Sequence, residues 1–155
     1  MTRRFTILDQ EVSTMKGRTI GYWTATGLTA LVFGSGGIFQ LLGSPGAVEG
    51  IRHLGYPAHF IILLGVWKLL GALAVLAPRF PRLKEWAYAG MFFDLTAASV
   101  AHAAVGDPLG NVVAPILLLG IVIASWALRP GERKLAGARL LPARPATIPV
   151  ARMAE

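Results

Sequence analysis

Four long apolar stretches, separated by short polar connections, dominate the pattern along the chain. They cover residues 19–42, 57–77, 85–105 and 111–128. A helix rises about 1.5 Å per residue, so roughly 20 residues cross a hydrocarbon core of about 30 Å. Each stretch is long enough. Backbone groups in lipid must bond within their own segment, and stretches of this length do so as helices. Barrel strands would be shorter and would alternate in polarity. A water-soluble bundle would need a polar stripe along every helix. Residues 112–128 carry no charge, and their only hydroxyl belongs to Ser125. The expected fold is therefore all-α, a bundle of four transmembrane helices. The first stretch does not read as a signal peptide, because 18 polar-leaning residues precede it and its apolar run is too long.

Composition agrees with this pattern. The chain has 155 residues, 54% of them hydrophobic and 15% charged, with a mean hydropathy of +0.58. A soluble domain carries about 25% charged residues. No cysteine is present, which excludes a disulfide, a CxxC redox site and a thiolate-bound metal within this chain. The net charge of +7 would raise nucleic acid as a partner in a soluble protein. Here the charges mark orientation instead. Thirteen of the fifteen Lys and Arg residues fall before the first stretch, between the second and third, or after the fourth. Arg52 alone lies on the other side, and Lys68 lies within the second stretch. The basic face is expected to be cytoplasmic, with both termini inside, in a bacterial cytoplasmic membrane. Anionic lipid then accounts for the basic excess, and no nucleic acid is expected.

The expected organisation is a cytoplasmic segment 1–18, a membrane domain 19–128 and a basic Pro/Ala-rich cytoplasmic tail 129–155. The tail has four prolines and no sustained apolar period, so it is expected to be mostly disordered, with a short basic surface helix over 133–141 as its one candidate element. The outer connection 43–56 is the longest and contains Gly-Ser-Pro-Gly turn chemistry. Tyr22, Trp23, Trp86, Tyr88 and Trp126 sit near stretch ends and read as an interfacial aromatic belt. Pro115 removes one backbone donor and is expected to kink the last helix, opening polar space near Asn111.

Charges inside the membrane are the strongest functional signal. Each costs about 2.5–3.5 kcal/mol on insertion scales. Lys68 lies mid-way along the second stretch and Asp94 mid-way along the third. The two stretches are joined by a short connection, so both residues reach similar depth and should pair inside the bundle. Gly65, Lys68, Gly71, Ala72 and Val75 share one face. Ala87, Gly90, Asp94, Ala97, Ala98 and Ala101 share another, and small residues let helices approach closely in lipid. The Gly34-Ser35-Gly36-Gly37 run suits close packing or local unwinding. The Lys68–Asp94 pair reads either as a neutralised packing pair that fixes register or as a site that moves protons and holds a ligand. In the second case Lys68, Asp94 and His102 form the candidate catalytic site. Gln40, Trp67, Gly90, Phe93 and Asn111 are candidate ligand contacts around it. His102 lies two steps of four residues from Asp94, on a path toward outer water. Gln40, Glu49, His53, Tyr56, His59, His102, Asp107 and Asn111 gather at the outer end. The histidines lack close helical spacing, so the reading is a wet mouth with His102 hydrogen-bonded beneath it, and no metal.

The residues Gly65 to Leu76 (GVWKLLGALAVL) and Pro78 to Pro108 (PRFPRLKEWAYAGMFFDLTAASVAHAAVGDP), with the closing apolar helix, resemble the DoxX-like family of small four-helix membrane proteins. The resemblance covers about residues 21–130. It is carried by Lys68-x-x-Gly71, the run from Arg82 to Gly90, Asp94, Ala101-His102 and Gly106-Asp107. Family members often carry Ser where this chain has Ala101. The resemblance implies association with membrane redox assemblies, since the family takes its name from a subunit linked to thiosulfate:quinone oxidoreductase. Thiol-oxidising relatives would need a CxxC that this chain lacks. Three functions are in view. The first is a membrane subunit of a redox or detoxification assembly, binding a quinone-like or small lipophilic ligand, with a membrane or redox protein as partner. The second is a non-enzymatic interaction or assembly factor. The third is a small proton-coupled transporter, which at this size would need a homo-oligomer.

Overall fold

The structure, a computed structural model, describes the backbone of residues 2–134 and the side chains of 16–131, 133 and 134. The described residues form five α-helices: α1 (Thr2–Leu41), α2 (Pro45–His53), α3 (Ala58–Leu76), α4 (Pro81–Ala104) and α5 (Leu109–Leu128). A single 3₁₀ turn follows at Gly131–Arg133. No strand occurs among the described residues. Most of the proposed 133–141 surface helix lies outside the described residues.

The four long helices stand in a ring. Contacts run α1 to α3, α3 to α4, α4 to α5 and α5 back to α1. The core is built from Phe33, Ala72, Val75, Tyr88, Met91, Leu95, Leu119 and Val122. Its face on α4 runs Lys84, Tyr88, Met91, Leu95, Ser99, in steps of three and four. That face is offset from the expected small-residue stripe: a side chain at Gly90 would meet nothing within 4 Å. The close approach predicted for glycines occurs between α1 and α3 instead. A Cβ on Gly37 would sit 2.9 Å from the Gly65 carbonyl oxygen, and one on Gly65 would sit 3.0 Å from Leu41 Cγ. The Gly34–Gly37 run stays helical, so it serves packing and not unwinding.

Polarity is inverted relative to a water-soluble bundle. Large apolar side chains such as Leu31, Ile62, Trp67, Leu73, Phe93 and Leu117 face outward, while Thr26, Thr29, Gln40, Lys84, Ser99, Ser125 and Arg129 are buried. An apolar exterior of this extent fits a lipid environment. By length and composition α3 and α5 each suffice to cross a membrane. The segment Lys16–Leu41 with α2 makes a third span if the bent pair counts as one. The expected number was four. The difference rests on α4, which is 24 residues long but carries Arg82, Lys84, Glu85, Asp94 and His102.

The outer connection departs from the expected loop. It contains α2, bent 93° from the preceding helix. Gly43 adopts a left-handed φ of 63°, and Pro45 then starts the new helix. A side chain would be strained at Gly43, and proline is pre-organised for a first helical turn. Gly55, with φ 82°, ends the element in the same way. Pro115 is buried within α5, which runs unbroken from Leu109 to Leu128.

Candidate functional site

The second and third apolar stretches do bring their charges together. Lys68 Nζ on α3 lies 3.7 Å from Asp94 Oδ2 on α4, with side chains 21% and 19% exposed. The separation is that of an ion pair slightly longer than a direct hydrogen bond. Both residues line a cavity of about 270 Å³ that Gln40 and His102 also line. Four of the eight candidate residues therefore share one site. The short helix α2 supplies Gly46, Ala47, Gly50 and Ile51 to its wall, and its outer end has Tyr56 and Phe60. Those two rings stack at 4.7 Å.

The other four candidates lie elsewhere. Trp67 precedes Lys68 by one residue, a turn of about 100°, and faces outward. Gly90 opens onto free space. Phe93 lines a separate groove of about 440 Å³ between α4 and α5, together with Phe92, Leu119 and Trp126. Asn111 is exposed at the start of α5. Gln40 is 8% exposed, and its Oε1 is buried without a hydrogen-bond partner.

At the outer end Asp107 joins two histidines. His102 Nδ1 lies 2.5 Å from Asp107 Oδ2, and His53 Nε2 lies 2.6 Å from Asp107 Oδ1. Hydrogen bonds from His102 and then His53 hold the Asp107 carboxyl below the usual carboxylate range. An ionised carboxylate only accepts, so both imidazoles donate to it. His102 thus finds its partner in the loop that follows α4. His53 is 52% exposed at the side chain, so an unbroken side-chain chain runs from the cavity wall to the protein surface. It also ties α2 to the α4–α5 loop. Glu49 and His59 are exposed and stand outside this chain.

The inner end is more ordered than an aromatic belt and a loose tail would be. Tyr22 and Tyr88 are buried. The Ser125 hydroxyl pairs at 2.7 Å with both Tyr88 and Thr26. Trp23, Trp86 and Trp126 are exposed, as belt residues would be. Arg129, expected as the first tail residue, is buried and donates to Glu85 Oε1 at 2.8 Å. Arg133 packs over the Trp23 ring at 4.7 Å. Lys84, expected among the basic residues of the connection between the second and third stretches, is fully buried just ahead of the third apolar stretch. Its ammonium donates to the carbonyls of Ala74, Val75 and Ala77, closing the inner end of α3. It spans a turn in which Arg79 and Phe80 both take left-handed φ values, 62° and 52°. Such conformations cost non-glycine residues about 1–2 kcal/mol each, which the lysine's three bonds offset. Burial, then Arg133 and Arg129, push the Lys84 amine down to about 8.

These features define a small membrane-type helical bundle with a mainly apolar cavity near one end that holds a Lys–Asp pair. The DoxX-like family pattern matches residues 24–125, about two thirds of the chain, and the protein belongs to that family. No curated protein and no solved structure matches it.

Proposed function

We propose that this DoxX-like protein is a membrane subunit of a redox or detoxification assembly, and that it holds a quinone-like or small lipophilic molecule in the cavity under α2. In this reading all four long helices cross a bacterial cytoplasmic membrane, both termini face inward, and the basic inner face meets anionic lipid. One observation carries the proposal: an intramembrane Lys–Asp pair lines a ring-sized cavity beside a buried glutamine oxygen with no partner. A cavity of about 150 Å³ accepts benzene, so about 270 Å³ accommodates a substituted ring. The wall is mainly apolar with a few convergent polar groups, as small-molecule sites are.

Each polar residue has a role in this proposal. Lys68 is the donor or counter-charge to the ligand's polar end. Asp94 keeps Lys68 oriented and accepts a proton. His102 passes protons toward Asp107, His53 and outer water. Electrons come from a partner protein or from the ligand itself. Native mass spectrometry of protein extracted in mild detergent tests the reading. The expected result is a reproducible small-molecule adduct that Lys68→Met loses. Bare protein, or protein carrying only phospholipid and a partner chain, would overturn it in favour of an assembly role.

A further inference from the structure

We infer that α2 is a hinged strap over the cavity, and that a ring-sized guest reaches Lys68 and Asp94 only when the His53–Asp107 bond lets the strap swing. The inference rests on the cavity being a ligand site and adds how that site is entered.

Packing gives the bundle a fixed end and a movable one. The core residues Ala72 and Val75 of α3 and Tyr88 and Met91 of α4 lie between the Lys68–Asp94 pair and the Lys84 end. There the Lys84 ammonium also bonds α4 to the carbonyls of α3. Beyond the pair, Phe60 and Leu64 of α3 and Ala97 and Ala98 of α4 line the cavity, and none of the four is buried. A guest therefore enters at the α2 end.

Helix α2 lies over that end. Its Ala47 and Ile51 line the cavity, while Glu49, Arg52 and His53 are exposed. Ile51 is its one buried residue. An element with so little buried surface opens at low cost relative to the core. Left-handed glycines bound it, Gly43 at φ 63° and Gly55 at φ 82°, and a Cβ on either would meet nothing within 4 Å. Two uncrowded glycines suit hinges, which absorb backbone rotation at the ends of a moving element. The helices that α2 packs against, α1 and α3, are its neighbours in the chain. The His53–Asp107 bond of 2.6 Å reaches beyond them, to the wall where His102 of α4 holds the same carboxylate. It is the latch. The site beneath is not sealed, since Lys68 and Asp94 keep 21% and 19% of their side chains exposed. A molecule of one or two heavy atoms passes with α2 in place; a ring needs the strap moved.

Trapping at Lys68 provides the test. The chain has no cysteine, so the thiols of a His53→Cys, Asp107→Cys variant are unique. In the full chain in mild detergent they are either joined by a short bis-maleimide or capped separately with N-ethylmaleimide. Each form is treated with formaldehyde or benzaldehyde and cyanoborohydride. The aldehyde and an accessible amine lose water to form an imine, and hydride from cyanoborohydride reduces it to a stable alkylamine. Peptide mass spectrometry reads Lys68, with exposed Lys16 as the reference. Formaldehyde should alkylate Lys68 within about twofold equally in both forms, and benzaldehyde at least about tenfold more slowly in the joined form. His53→Ala, which needs no new thiol, should take benzaldehyde at Lys68 about threefold to tenfold faster than the parent, as loss of one hydrogen bond allows. Equal benzaldehyde rates in joined and capped protein, or an unchanged rate in His53→Ala, would overturn the strap. Formaldehyde slowed as much as benzaldehyde would overturn the size threshold. Lys68 untouched by either aldehyde in capped protein that melts cooperatively would show that α2 does not open. These rates need no bound guest. A small-molecule adduct in native mass spectrometry, with Lys68 insensitive to joining, keeps the site and removes the strap; a working strap with no adduct does the reverse.

Discussion

Replacing Lys68 by Met removes a charge while keeping an unbranched side chain of similar length, which isolates the ion pair from packing. Asp94 would then keep its carboxylate, about four-fifths buried, with no cation beside it. Breaking a fully buried pair costs about 3–5 kcal/mol. Partial exposure of both side chains, 21% and 19%, places this pair in the lower part of that scale, about 2–3 kcal/mol. For a chain of this size about 1 kcal/mol moves the thermal midpoint by roughly 2–4 °C, so Lys68→Met should melt about 5–10 °C lower. The double change Lys68→Met, Asp94→Leu differs only in removing the stranded carboxylate. It should recover to within about 1 kcal/mol of the parent or exceed it. Lys68→Ala should fall at least as far as Lys68→Met, because the aliphatic stem is lost too. Melting of the parent, Lys68→Met, Asp94→Leu and the double in one detergent closes the cycle. A Lys68→Met midpoint within about 1 °C of the parent, or a double variant as unstable as the single, refutes the pairing argument.

Three further outcomes follow from other parts of the molecule. The Lys84 amine sits at about 8 in the fold against 10.5 in the open chain, so the unfolded state holds more protons between those values. Stability should therefore rise with pH across that window, and the rise should flatten in Lys84→Met; a flat parent profile in melting experiments contradicts it. The chain has no cysteine, so an introduced Ala98→Cys in the cavity wall can be labelled with maleimide without background. Adding His53→Ala frees α2 from Asp107 and should speed labelling several-fold; an unchanged rate shows that this bond does not hold α2. Because the Asp107 carboxyl is held below its ordinary value, the tie should persist above about pH 4 and be lost only as pH falls through the lowered value. Gly37→Ala would place a methyl 2.9 Å from the Gly65 carbonyl oxygen and should destabilise by about 1–3 kcal/mol, while Gly90→Ala, facing open space, should be neutral or slightly stabilising in the same melting assay.

The long helices and the Lys68–Asp94 pair were legible because each leaves a signal that spacing alone can carry. Apolar runs of spanning length have few alternatives, and two charges at matched depth on consecutive helices must solve the same solvation problem. The face Gly65, Lys68, Gly71, Ala72 and Val75 was likewise visible, since its small residues repeat at helical intervals. Helix α2 was not. Nine residues with two internal glycines give too little periodicity to separate a helix from a turn, and only the ring packing beneath reveals what Ile51 is for. Trp67 and Phe93 were misplaced by a single residue's rotation: adjacency in sequence to Lys68 and Asp94 puts them on a different face. Lys84 and Arg129 count simply as members of the basic face in the sequence, because composition cannot distinguish an exposed cation from one bonded inside the fold. Lys84 is buried across the left-handed turn at Arg79 and Phe80, and Arg129 is buried against Glu85 and the Tyr88 and Trp126 rings, long-range contacts that no local preference encodes.

The position of Lys84 in the chain also sets an order of events. The carbonyls it satisfies belong to Ala74, Val75 and Ala77, all synthesised before it. As the chain elongates, the inner end of α3 stays open to water until the first turn of α4 has emerged. Until then those carbonyls have water as their partner. Lys84 thereby fastens the end of α3 to the start of α4, within the same helical hairpin that sets Lys68 opposite Asp94.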